Sequence, residues 1–197
     1  MIVRRFLVPV LAAIVVGGAC GGDPPPPPPP PGPDMDSLRA YQDSVRSAEE
    51  ARRRAEAEAA AQRAAEAARQ RAVAAARTTL EAIVFFDYDM SAVRDDAAAL
   101  LRQKVAILRA SPQVRLRIEG HADERGSTEY NLALGNRRAE AIRQFLTGFG
   151  LSENRFEIVS FGEGRPLQQG ANEAAWTRNR RGQFVISAGA NAINPAE

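Results

Sequence analysis

At 197 residues the chain has room for one medium domain with extensions. A single cysteine, Cys20, excludes an internal disulfide and any cysteine-built metal cluster. The formal net charge is +2, and Arg4 and Arg5 lie in a leader-like stretch, so the remainder is near neutral and lacks the basic excess of a nucleic-acid binder.

Arg4 and Arg5 form a positive start, Phe6 to Val16 a short apolar run, and Gly17, Gly18 and Ala19 small residues that lead to Cys20. This is the pattern of a bacterial export signal over 1–19, too short for a comfortable membrane span. Small residues ending at a cysteine resemble the lipobox of bacterial lipoproteins. That resemblance implies cleavage before Cys20 and acylation of its thiol and amine, with two or more acyl chains giving a firm outer-membrane anchor.

Residues 20–36 read as a linker. Pro24 to Pro31 is an unbroken proline run, expected as stiff polyproline II that projects on the order of 30 Å at about 3.1 Å per residue. From 37 to 79 there is no proline or glycine. Ala, Arg, Glu and Gln favour helix there, with Glu49–Arg53 and Glu50–Arg54 at supportive spacing. The expectation is a solvated helical tether of roughly 65 Å at about 1.5 Å per residue. Leu38, Tyr41 and Val45 share a stripe that offers self-association or a scaffold role, but the heptads of a strong coiled coil are absent.

From 80 to 190 the pattern is that of a globular domain, and 191–197 reads as frayed. Ala82 to Phe86 is a short apolar strand. Val93 to Ala110 has helical spacing and stops before Ser111-Pro112. Val114 to Glu119 alternates, with Val114, Leu116 and Ile118 inward and Arg115, Arg117 and Glu119 outward. A helix from Tyr130 to Thr147 ends at Gly148 and Gly150. Phe156 to Phe161 is a strand, 172–177 a short helix, and Gln183 to Ser187 the last strand. The predicted class is α/β (α+β): β-α-β-α-β, a short helix and β, with helices on one face of a mixed sheet, behind a long Ala/Arg/Glu-rich helix.

One helix carries a misplaced charge. On a wheel of about 100° per residue with Leu134 at zero, Arg138 falls at about 40°, inside the arc that holds Phe145 and Ile142, while Arg137 falls outside. A guanidinium on an inward stripe needs an anion or a ligand. Asp123 emerges just past the carboxyl end of the strand ending at Glu119, where open sheets often bind ligands. An arginine fork grips a carboxylate and an aspartate accepts from an ammonium. Together they would hold an amino-acid head, or else simply satisfy each other.

The stretch IEGHADERGSTEYNLALGNRRAEAI from Ile118 to Ile142, with VFFDYD at Val84–Asp89, SFGEGRP at Ser160–Pro166 and NRR at Asn179–Arg181, is similar to the OmpA-like peptidoglycan-binding domain family, most of all its peptidoglycan-associated lipoprotein branch. The resemblance implies an α/β sandwich that binds the diaminopimelate of peptidoglycan stem peptides, with the family's aspartate on Asp123 and its arginine on Arg138. Asn131 and the Asp87 loop would border the pocket, and Arg181 or its neighbour Arg180 would shape the rim. It further implies a Tol-Pal-type envelope system with a TolB-like periplasmic partner, touched by Glu124 and Arg125, and neither enzyme activity nor a cofactor. His121 reads as a packing or loop residue, because no metal or nucleophile set accompanies it. A cell-wall hydrolase is the alternative from another class.

Overall fold

The computed structural model describes Gly32 and residues 34–195. The signal stretch, Cys20 and the proline run lie outside the described residues. Among the described residues, contacts divide the chain into two units between Arg53 and Arg54. In the first, the start of helix α1 (Met35–Glu81) is exposed along its length, including Leu38, Tyr41 and Val45. No helix among the described residues is long and apolar enough to cross a membrane.

The second unit contains the rest of α1, then β1 (Val84–Phe85), α2 (Asp95–Ala110), β2 (Arg115–His121), α3 (Thr128–Gly148), β3 (Phe156–Gly162), α4 (Glu173–Asn179) and β4 (Arg181–Ala188). The four strands form one sheet in the order β1-β4-β2-β3. β2 and β3 are parallel, and β4 runs antiparallel to both β1 and β2. The parallel pair needs a crossover, which α3 supplies by packing on β2 and β3. Leu116, Ile118, Phe156 and Phe184 from the sheet join Leu101, Val105, Leu108, Ile142 and Leu146 from the helices in one core. The predicted class and element order hold.

Four local readings change, the first at the C-terminus, expected to fray over 191–197: Ile193 is buried in the core and the Asn194 amide donates to Ser111 Oγ at 2.8 Å. Glu119 is buried rather than outward and solvated, because Arg117 Nε donates to it at 2.9 Å and it shares its face of the sheet with His121. The strand expected over 82–86 contracts to two residues, since it meets only Arg181 and Gly182 at the start of β4. The end of α1 is not a solvated tether: Val73, Ala76 and Leu80, spaced on one face, pack into the core.

Lys104 finishes that helix. It is buried within the apolar stripe of α2, and its Nζ donates to the carbonyls of Thr79, Leu80 and Ala82 at 2.7, 2.8 and 2.7 Å. The last carbonyls of a helix have no partner within it, so one ammonium here replaces a glycine cap. Burial lowers its pKa to about 7.

Two glycines bring α3 close to the sheet. A Cβ on Gly120 of β2 would lie 1.8 Å from the Gly135 carbonyl oxygen, and one on Gly135 would lie 2.8 Å from that of Gly120. Arg138, three residues beyond Gly135, is thereby carried to the end of β2.

Candidate functional site

The loop between β2 and α3 holds the predicted clamp. β2 ends in His121, and the Ala122 amide donates to the Gly162 carbonyl at 2.8 Å. Gly126 turns the chain with φ of 107°, and the Ser127 side chain caps α3 by accepting from the Tyr130 amide. Asp123 is held between these fixed points.

Asp123 is 4% exposed. Its Oδ1 accepts from the Arg125 amide and Nε, both at 3.1 Å. Its Oδ2 accepts from Arg125 at 2.7 Å and from Arg180 at 3.3 Å. Burial pushes its pKa up, but the bonds from Arg125 and Arg180 outweigh burial and keep the carboxyl below its ordinary value.

Arg138 is fully buried. Its three nitrogens donate to the carbonyls of Met90 at 2.8 Å, His121 at 2.8 Å and Asp87 at 3.1 Å. Burial lowers its pKa to about 10, with the Asp123 charge acting the other way. It stays a cation at neutral pH. A guanidinium has five N–H donors, so these three bonds leave two N–H groups beyond them. No ion pair joins Asp123 to Arg138 among the described residues. Both instead line one cavity of about 310 Å³, with Tyr88, Asp89, Arg125, Gly126, Tyr130, Asn131 and Leu134.

Asn131 is also buried there, and its Nδ2 donates to the Arg125 carbonyl at 3.2 Å and to Glu163 at 2.5 Å. Asp87 divides its roles. Its carbonyl holds Arg138, while its carboxylate pairs with Arg94 at 3.0 Å and lines a neighbouring cavity with Met90, Asp95 and Asp96. The two C-terminal arginines separate. Arg180 pairs with Asp123 and with Glu173. Arg181 turns away to the Arg165 carbonyl at 3.1 Å and Gln183 at 3.4 Å. Arg180 caps the end of α4 and Arg181 opens β4, and only Arg180 reaches Asp123.

Four residues contribute in ways the sequence did not assign: Arg125, expected only as a partner contact, Tyr88 and Asp89, expected only as part of the Asp87 loop, and Trp176. Arg125 caps the acid. Tyr88 and Trp176 flank the Arg125 guanidinium, each with its ring centre 4.1 Å away. Asp89, in the left-handed region at φ 56°, accepts from the Tyr130 hydroxyl. An acid with an arginine two residues on, flanked by aromatic positions elsewhere, was the available signal. His121 is buried, stacks on Phe161 with ring centres 5.5 Å apart, and has no hydrogen-bond partner at either ring nitrogen. Burial, then the Arg181 and Arg165 charges, lower its pKa to about 3. A neutral imidazole so placed does not move protons at the cavity.

The sequence model of the OmpA family matches residues 85–180. The peptidoglycan-associated lipoprotein of Brucella melitensis is 45% identical over 104 residues, 53% of this chain and 62% of that protein. Its counterpart from Pseudomonas aeruginosa is 43% identical over 97 residues, 49% of this chain and 57% of that one. The chain thus spans less than two thirds of the length of these curated relatives. The crystal structure of the peptidoglycan-associated lipoprotein from Burkholderia pseudomallei aligns with a TM-score of 0.52 at 44% identity, covering 53% of this chain and 89% of that one. The C-terminal domain of Helicobacter pylori MotB shares the fold, with a TM-score of 0.51 at 19% identity over 56% of this chain and 87% of that one.

Proposed function

The chain belongs to the OmpA family, in its peptidoglycan-associated lipoprotein branch, and from that premise we propose that it is an outer-membrane lipoprotein that binds peptidoglycan without covalent attachment. Asp123 takes the ammonium and Arg138 the carboxylate at the free end of diaminopimelate in the stem peptide. The observation that carries this reading is a buried acid and a buried arginine facing one cavity without pairing to each other. Acylated Cys20 anchors the chain in the outer membrane facing the periplasm. The protein then tethers membrane to cell wall in a Tol-Pal-type system, with a TolB-like partner at the Glu124 and Arg125 side. For the hydrolase alternative the cavity offers two carboxylates, but Arg125 and Arg180 hold Asp123 ionised and Asp89 accepts from the Tyr130 hydroxyl, so neither is poised as a general acid.

Calorimetric titration with a diaminopimelate-containing muropeptide tests this. Asp123→Ala and Arg138→Ala are each expected to weaken binding at least about tenfold, a loss of about 1.4 kcal/mol or more. Unfolding curves distinguish a lost contact from a lost fold. Full affinity in both variants sinks the assignment.

A second reading concerns the first unit, where Leu38, Tyr41 and Val45 form an exposed stripe on α1. A scaffold role for the tether predicts that deleting residues 37–53 leaves binding to sacculi intact and abolishes capture of a partner protein.

A further inference from the structure

A carboxylate meant to receive an ammonium should have an open edge. Ionised aspartate has about four acceptor positions, and four donors already fill them on Asp123: three from Arg125 and one from Arg180. The two arginines are not equivalent. Arg180 is buried and also tied to the Phe86 carbonyl and Glu173. Arg125 keeps 29% of its side chain exposed, lines the cavity, and has Glu173 only at 3.6 Å as a second anion. Its guanidinium lies in a slot between the faces of Tyr88 and Trp176. Aromatic faces hold a cation whichever carboxylate its edge meets.

We propose that Arg125 is a resident counter-ion that makes the site selective for heads bearing both an ammonium and a carboxylate. The ligand ammonium displaces the guanidinium edge from Asp123. The freed edge, still within its aromatic slot, takes the ligand carboxylate beside Arg138. This rests on the amino-acid clamp reading above. One internal ion pair is exchanged for two pairs with the ligand, so charge balances throughout. An amine alone would strand the Arg125 cation in a half-closed cavity, and a stranded partner is what makes such a mismatch costly.

Titrations of the full chain and of Arg125→Met use two probes: the diaminopimelate muropeptide, and the same peptide with the free-end carboxylate amidated. Wild type is expected to prefer the parent peptide by about tenfold or more. In Arg125→Met that preference falls by about fivefold or more, and the amidated peptide binds more tightly than it does to wild type. Arg125→Lys, which keeps the charge without the fork, is expected to lie between the two and serves if the methionine variant melts early. An unchanged preference overturns the proposal, as does equal weakening for both peptides, which would mark Arg125 as a loop support. Wild type binding neither peptide is a separate result that removes the clamp reading and this inference with it.

Discussion

His121 closes β2 beside the cavity loop, yet its side chain does not line the cavity. With its pKa lowered to about 3 by burial and by the Arg181 and Arg165 charges, it stays neutral while the unfolded chain protonates near 6.5. Between those values the unfolded state binds the extra proton, so stability falls as pH drops. Acid unfolding curves should show a slope of about 1.4 kcal/mol per pH unit from this one group. In His121→Phe, which keeps a ring against Phe161, that component should vanish; an unchanged slope would assign it to other groups. Legibility at this scale followed periodicity. Arg138 could be found because a helix repeats, and a charge on its inward stripe stands out. Asp123 could be placed because a strand was seen to end beside it. Arg125 was hidden because its partner, Asp123, lies two residues away in a loop with no repeat. Arg180 and Arg181 stayed ambiguous because they sit where α4 passes into β4 and neither repeat applies.

Elements were more legible than their edges. Alternation in β2 and the stripe of α3 gave both segments and the faces they bury. Tertiary contacts override pattern in two places: Glu119, read as outward, is buried by Arg117 and a neighbouring imidazole, and Lys104, for which the pattern made no prediction, occupies an apolar stripe because α1 ends against it. The contact of α3 with β2 was invisible in the sequence because a glycine in a helix carries no mark of what it touches. It yields a sharp expectation. A methyl on Gly135 would meet Ser160 Oγ at 2.3 Å as well as the Gly120 carbonyl. Gly135→Ala should therefore destabilise by about 1–3 kcal/mol from overpacking. Gly148→Ala, with nothing within 4 Å of the new carbon, should be neutral or stabilising by about 0.5 kcal/mol. Urea titration of the two variants reads the difference, and equal behaviour would refute the close-contact account.

For the molecule as a whole, the length at which the domain becomes self-sufficient is set by α1. Leu80 is fully buried, and Thr79 and Leu80 supply two of the three carbonyls that receive Lys104. A chain beginning at Ala82 forfeits both. Burial of one leucine contributes about 2 kcal/mol, and an ammonium short of acceptors costs at least about 1 kcal/mol more. Such a chain is expected to unfold about 3 kcal/mol sooner in urea than one beginning at Ala68, and equal midpoints would place the domain boundary at 80 after all. The same joint has a mechanical meaning. Tension passed along α1 reaches the sheet through Leu80 and the three bonds of Lys104, none of which line the clamp cavity. Peeling the helix from the core at that joint would therefore leave every residue that lines the cavity in place, as a fuse parts from the circuit it protects.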